Sequence, residues 1–492
     1  MAETFESDVV VVGCGISGLA AAVSAEEHGA TVAVLERAPM AERGGNTRYT
    51  ESYWRMKSEN EVSDDFTERF AENAGGHLDP EVIKDASGPY EGWPRLLKSL
   101  GFADPELVAT FAELAGPTLR WLTGFGVKFD FLPNYFIIQS TTRMAPVGGG
   151  LALVEALAAH AESVPDDIAI HYETTMTSLL QDEDGRIAGI RAVVEDNRPV
   201  EFRAKAVVLA SGGFEGNPEM LSHYLGTDAL WLRPVARGGY YNRGEGIRTA
   251  LDLGAAPAGD FGSFHAQPVD PRSGQAEPVV LSYSYGLLVN KRARRFIDEA
   301  PGMVDATYEA VTREIMHQPE GIAYAIHDGR MEDVPNWRKA VRSDQPPVEA
   351  HSIEALAEAL ELDPHELAET VEAFNAACAG EAGFDAMKLD GLATAGLEPN
   401  KSNWARPLDK PPFLAWPIIA ANCFTFGGVK VNARAQVLNM DGEVIPGLYA
   451  AGEVMGIYYR TYTGSTSVMR GAVFGRQAGI DAAMRHARAN QP

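Results

Sequence analysis

Only three of the 492 residues are cysteine, and Cys14, Cys378 and Cys423 have neither an even count nor metal-type spacing. No disulfide framework and no cysteine metal centre is therefore expected, and a reduced, cytoplasmic setting is. Long apolar runs are missing too: none approaches the roughly 18 residues of a membrane span, and the N-terminus has no basic start followed by an apolar stretch. Neither export nor membrane insertion is expected. Basic charge is scarce. Lys plus Arg number 42 against 68 Asp plus Glu, a formal net charge of −26 that opposes binding to nucleic acid or an anionic membrane. The rest is an ordinary soluble composition, 45% hydrophobic, in a chain long enough for two or three domains and a large core.

One stretch carries chemistry. Val9 to Val12 is a β-branched run that predicts a buried parallel strand, and Gly13-Cys14-Gly15-Ile16-Ser17-Gly18 is a turn opening an apolar helix to His28. Gly13 permits a tight turn, Gly15 lets a pyrophosphate approach, and Gly18 lets the helix pack on the strand. Phosphates sit at such a helix start, with Ser17 in its first turn, because its free N–H groups and dipole favour negative charge. Glu36 ends a second strand, Thr31 to Leu35, eighteen residues after Gly18. At that spacing a carboxylate reaches the ribose hydroxyls, and it favours an unphosphorylated ribose.

Further along, Gly44-Gly45-Asn46-Thr47 is a small, polar turn that could wrap a pyrophosphate or ribityl chain. From Asp64 to about Gly126 the pattern is helical, with breaks expected at 75–76, 88–89 and 116–117, and it reads as packing. Thr141-Thr142-Arg143 leads through Gly148 to Gly150 into a helix from Leu151 to Ala161, so Arg143 is either an anion ligand near a helix start or a surface arginine. Ile168 to Tyr172 and Ile187 to Val194 read as strands around a hairpin signal, Asp182 to Gly185. Ala206 to Ala210 is a further buried strand, stopping at Ser211-Gly212-Gly213, so one sheet is expected from separate segments. Asn242 to Gly246 is another glycine cluster that could approach a cofactor. From about Phe261 to Pro411 the texture changes to a strand at Leu287 to Asn290, a basic run from Asn290 to Phe296, and helices from Ala306, Ile353 and Pro364. A strand-rich return at Gly427-Gly428 then leads through Gly447 to Glu453 into Tyr458 to Ser465 and a closing helix. The expectation is an α/β protein: a Rossmann-like domain from 1–260 and 412–492, with an α+β capping domain at 261–411.

The N-terminal unit, the Gly447-Leu-Tyr-Ala-Ala-Gly452-Glu453 strand end and Gly427-Gly428 resemble the flavoprotein family of fumarate reductases, succinate dehydrogenases and 3-ketosteroid dehydrogenases. Within it, Lys401-Ser-Asn-Trp-Ala-Arg406, Thr425-Phe-Gly-Gly428, His265-Ala266 and Val473-Phe-Gly-Arg476 look most like tricarballylate dehydrogenases. The resemblance implies a glutathione-reductase-type (GR2) domain with FAD extended from the Gly13 loop to the Gly452 loop. Glu36 and Arg37 are then at the adenosine ribose, Gly44 to Thr47 at the pyrophosphate region, and Gly212 beside the cofactor. Glu453 falls to the ribityl chain and Ser467-Val468 to the flavin edge. No histidine stands near Asn46, where Arg48 and Tyr49 follow, so noncovalent FAD is expected.

Soluble fumarate reductases resemble the chain but carry a histidine where Cys423-Phe424 stand, and their late arginine motif is here Thr461-Tyr462-Thr463-Gly464-Ser465. Fumarate reduction is thereby disfavoured. Thr-Tyr-x-Gly is similar instead to ketosteroid dehydrogenases, whose tyrosine contacts the substrate carbonyl. Removing two hydrogens from adjacent carbons needs a base and a hydride acceptor, and a phenol donating to a carbonyl oxygen stabilises the enolate. Tyr462 suits that task, with Gly464 beside the substrate. His265 is base, substrate donor or structural histidine, and Arg460 and Arg143 could pair with a substrate carboxylate. The expected activity is an FAD-dependent dehydrogenase acting on a small carboxylate or cyclic oxo acid. Its rivals are an ene reductase, a ketosteroid-type desaturase, and an FAD-bearing redox subunit. The expected electron acceptor is external: oxygen, a quinone-linked protein or another flavoprotein.

Overall fold

The computed structural model describes residues 3–74, 80–86, 92–100, 104–131 and 143–489. Val9–Val12 is buried at all four positions, as a strand covered on both faces must be, and lies inside a six-stranded sheet. The order is Gln436–Leu438, Val444–Ala450, Ala206–Leu209, Val9–Val12, Val32–Leu35, Ile168–His171. All neighbours are parallel except the first pair. Four separate chain segments, 9–35, 168–171, 206–209 and 436–450, thus build one sheet, as expected, and the class is α/β.

The helix Ile16–Glu26 rises from the end of Val9–Val12 and is packed by the closing helix Ser467–Ala489. Their approach is backbone against backbone. A Cβ on Gly475 would stand 2.2 Å from the Ser17 carbonyl oxygen, and one on Gly479 2.1 Å from that of Ala21. Gly475→Leu is expected to lower the stability of the protein by about 1–3 kcal/mol or more through overpacking. Gly274→Leu, with nothing within 4 Å of its Cβ position, is expected to leave the thermal midpoint nearly unchanged; equal midpoints for the two variants would contradict this packing.

The hairpin turn was placed correctly but its first strand was not. Asp182–Gly185 joins Thr175–Gln181 to Ile187–Val194 in a second, four-stranded sheet, completed by Arg198–Arg203 and Glu3–Glu6. Ile168–His171 instead lies parallel to Val32–Leu35 in the main sheet. Register shifts between Met176 and Ser178 and between Leu180 and Gln181 break the period-2 pattern of the missed strand, and consecutive Leu179 and Leu180 are both buried.

The capping sheet is organised on one long strand, Phe413–Thr425, which pairs antiparallel with Phe264–Val269, Ile322–His327 and Val348–Ala350 and parallel with Arg233–Pro234. Leu287–Asn290 extends the sheet beyond Ile322–His327. The expected boundary at 411/412 falls just before this strand, whose ladder partners at 264–269, 322–327 and 348–350 lie in the expected cap and at 233–234 outside it. That strand ends at Thr425, within the cofactor side of the molecule, so it joins the two halves. The cap helices Val304–Met316, Ile353–Ala359 and Pro364–Ala377 begin close to their predicted starts, the last two under the side-chain caps of Ser352 and Asp363. Arg295 of the basic run is not a solvated charge: it pairs with buried Glu299 at 2.7 Å.

Pro105–Gly124 continues through Pro117 where a break was expected. Its face of Leu107, Phe111, Ala115, Leu119 and Leu122 is buried, and Gly116 lets the backbone of Asn60 approach where a Cβ would clash. Burial of that face outweighs the local proline penalty. The other two expected breaks, and Thr141 and Thr142, lie outside the described residues. Among the described residues no helix is long and apolar enough to cross a membrane.

Candidate cofactor cavity and active site

A cavity of about 700 Å3 runs from the glycine loop to the cap. At one end its wall holds Gly13, Gly15, Ser17, Glu36, Arg37 and Gly44 to Thr47. Gly212, Gly452, Glu453, Ser467 and Val468 follow, and Arg143, His265, Tyr462 and Gly464 stand at the cap end. Gly18 lies behind the wall, where a Cβ would collide with the Gly13 carbonyl oxygen at 1.8 Å. Gly13 itself adopts φ +109, and a Cβ there would lie 2.3 Å from the Ala210 oxygen, so only glycine lets the turn pass this close to the next strand.

The nucleotide end fits FAD. No side chain caps the helix that starts after Gly15, although the Thr47 hydroxyl accepts from Ile16 N at 3.3 Å, which leaves first-turn amides for a pyrophosphate. Glu36 accepts from Cys14 N at 3.0 Å and Ala38 N at 2.8 Å, one bond to each oxygen, which aims the carboxylate and leaves acceptor capacity for ribose hydroxyls. Burial raises its pKa, countered by those N–H bonds. Arg37 donates to the Tyr241 carbonyl at 2.9 Å and pairs with Glu245, so its guanidinium is engaged and not held ready for a ribose phosphate. Asn46 donates to Glu215 at 2.6 Å and to the Cys423 carbonyl at 2.9 Å, and Glu453 accepts from Thr425 N at 2.8 Å.

At the cap end four side chains converge. Arg143 is buried, forms no salt bridge among the described residues, and its Nε has no hydrogen-bond partner there. Burial and then the nearby Arg55 push its pKa down, against the pull of Asp305, Tyr308 and Tyr462. Such a guanidinium is held out of water with the pull of Asp305 but no ion pair among the described residues, which is costly unless an anion arrives. Tyr308 and His265 face it from the helix Val304–Met316 and the strand Phe264–Val269. The Tyr308 hydroxyl lies 3.5 Å from His265 Nε2, and His265 Nδ1 lies 3.5 Å from Glu309 Oε1. Glu309 is also held by Arg313 at 3.0 Å and by Tyr462 N at 3.1 Å. Burial raises the Tyr308 pKa well above the usual phenol range, and Glu309 adds to the rise. Tyr308 was not singled out from the sequence: it sits on the buried face of its helix with Val304, Val311 and Ile315 and reads there as core.

Tyr462 lines the cavity and packs against His265, the rings tilted by 47° with centroids 4.5 Å apart. Its hydroxyl accepts from Thr466 N and Ser467 N, both at 2.9 Å, and donates to Ser467 Oγ at 3.0 Å. It therefore closes the start of the final helix, and its one proton is directed to a neighbouring hydroxyl. Arg460 departs from expectation. It is exposed and off the cavity wall, because the chain turns tightly through the Tyr459–Thr461 bridge while its carbonyl is tied to Arg313 at 2.8 Å. Of the two arginines expected at a substrate carboxylate, Arg143 is the one that lines the cavity.

Comparison with known proteins agrees with this geometry. The family described as "FAD binding domain" matches residues 8–468. NADH:acrylate oxidoreductase of Vibrio harveyi is 28% identical over 96% of this chain and 50% of its own length. Urocanate reductase of Eggerthella lenta is 28% identical over 98% of this chain and 75% of its own length. The chain spans about half the length of the acrylate enzyme and of an NADH:fumarate oxidoreductase from Klebsiella pneumoniae. Among solved structures, 3-ketosteroid-Δ4-(5α)-dehydrogenase of Rhodococcus jostii superposes with a TM-score of 0.65 at 26% identity, covering 97% of both chains. The chain belongs to the FAD binding domain family, among the flavoprotein oxidoreductases that include fumarate and urocanate reductases and ketosteroid dehydrogenases.

Proposed function

We propose that this protein interconverts C=C and CH–CH bonds next to the carboxylate of a small, conjugated acid, in the reductive direction, with noncovalent FAD. The observation that carries the reading is Arg143, buried at the cavity wall without a salt-bridge partner among the described residues, beside a phenol that burial keeps protonated. Bound FAD supplies the hydride chemistry. Arg143 pairs with the substrate carboxylate and draws charge from the double bond as it builds on the α-carbon and carboxylate. Tyr308 donates a proton to the α-carbon, completing the addition of one hydride and one proton across the bond. His265, linked to Glu309, returns a proton to the Tyr308 phenolate. Tyr462 positions His265 by tilted ring packing and holds the helix start at Ser467. Electrons come from an external donor, a quinone-linked protein or another flavoprotein, and a cytoplasmic setting is proposed. The names of the acrylate and urocanate relatives support a conjugated acid as substrate.

The second reading is the reverse reaction, dehydrogenation of a carboxylate or cyclic oxo acid, with oxygen among the electron acceptors. It is favoured by the likeness to the ketosteroid dehydrogenase and by Tyr462 on the cavity wall. Anaerobic titration of the holoenzyme separates the two. Dithionite-reduced enzyme is expected to recover its visible flavin absorbance on adding an unsaturated acid. Bleaching of the oxidised enzyme by saturated acids, with no reoxidation by unsaturated ones, would overturn the reductive reading.

A further inference from the structure

Behind the cofactor cavity lies a second carboxylate that the reaction does not use. Glu215 follows the strand-end glycines Gly212-Gly213 and is 1% exposed. Its Oε1 accepts from Asn46 Nδ2 at 2.6 Å and from Asn242 Nδ2 at 2.5 Å. Its Oε2 is buried with no donor. The neighbouring carboxylate is Glu453, on the cavity wall: its Oε1 lies 2.2 Å from where a Cβ on Gly213, two residues before Glu215, would stand, and accepts from Thr425 N at 2.8 Å. Two adjacent carboxylates in so dry a place cannot both ionise without strong repulsion. A proton on Glu215 Oε2 removes the repulsion, satisfies the donorless oxygen and gives Glu453 a hydrogen bond.

We propose that Glu215 is a positioning residue that carries one proton and donates it to Glu453, holding the Glu453 carboxylate toward the cofactor, so that losing this proton weakens FAD binding. Burial and the neighbouring charge of Glu453 raise the Glu215 pKa, whereas the Asn242 amide lowers it. Glu453 is raised by burial, while its bond to Glu215, Thr425 N and the charge of Arg470 on the closing helix favour its ionised form. Cys423, on the long cap strand, is also buried, and burial and then nearby carboxylates push its thiol up. The sign follows. The proton is present at low pH and leaves as pH rises through the pKa of the pair, so FAD affinity falls toward alkaline pH. This inference rests on FAD binding alone, and its failure leaves the substrate reading untouched.

The test is the FAD dissociation constant of the full chain, read from recovery of free-flavin fluorescence between about pH 6 and about pH 10. In the wild type it is expected to rise by about tenfold per pH unit above the transition, one proton being linked to binding. Glu215→Gln keeps a donor toward Glu453 and an acceptor toward the two asparagines but has no proton to lose. It is expected to bind FAD at neutral pH as the wild type does and to lose this pH dependence, while the flavin's own ionisation stays common to both. Asn242→Ala removes a donor that favours the ionised form, so it is expected to move the wild-type transition to higher pH. A Glu215→Gln profile that rises in parallel with the wild type, or a transition unmoved by Asn242→Ala, overturns the proposal.

Discussion

Arg143→Met is expected to lower kcat/KM for an acidic substrate by about a hundredfold to a thousandfold, while FAD stays bound and the protein becomes no less stable. The size follows from removing one member of a buried, hydrogen-bonded charge pair, which costs about 2–5 kcal/mol in the complex. The unchanged or improved stability follows from the free protein. There the guanidinium is buried, has no salt bridge among the described residues, and is disfavoured by Arg55. Apolar replacement of this buried charge relieves a desolvation that the pull of Asp305, Tyr308 and Tyr462 offsets only in part. An arginine kept for the fold gives the opposite pattern, a lower thermal midpoint with little change in activity. The contrasting case is Arg55, whose guanidinium pairs with Asp65 and donates to the Gly464 carbonyl at 3.1 Å. Arg55→Met is expected to destabilise the protein first, because it leaves Asp65 without that partner.

Tyr308→Phe is expected to lower kcat by about a hundredfold or more, the range for a positioned general acid, with KM and FAD binding nearly unchanged. Only the hydroxyl is lost, and the ring still fills its place between His265 and the cavity wall. The elevated phenol pKa matters for the direction. A phenol that holds its proton far above neutrality is loaded with it across the working range but is a weak acid, so it gives the proton up only to a strongly basic centre such as the charge that builds on the α-carbon. In stopped-flow, reoxidation of reduced enzyme by an unsaturated acid should slow by the same factor as turnover. Unaltered reoxidation would transfer the acid role to His265 or Tyr462 and leave Tyr308 as packing.

Much of the cofactor end was legible because each residue there answers to backbone geometry over short sequence distances. The four valines, the glycine turn and Glu36 form one local unit, and the structure assembles it as read. The cap end was harder. Arg143 was found as an isolated residue type, and His265 and Tyr462 through short motifs of the family resemblance, yet what they do depends on partners far away in sequence, such as Glu309. Tyr308 was hidden because a buried tyrosine on an apolar helical face has the same pattern whether it meets a cavity or a core. Arg460 failed for a different reason: its guanidinium suited a substrate carboxylate, and the tight Tyr459–Thr461 turn leaves it exposed and off the cavity wall. Glu215 carried no signal beyond one acid after a glycine pair, since its meaning comes from Asn46, Asn242 and Glu453.

The most direct test of the central claim compares an unsaturated carboxylic acid with its uncharged methyl ester in the wild type and in Arg143→Met. If the Arg143 guanidinium receives the substrate carboxylate, the wild type should prefer the acid in kcat/KM by about a hundredfold, and the variant should lose that preference by slowing on the acid while holding its rate on the ester. An ester turned over as well as the acid by the wild type, or an acid preference that survives in Arg143→Met, would contradict the account.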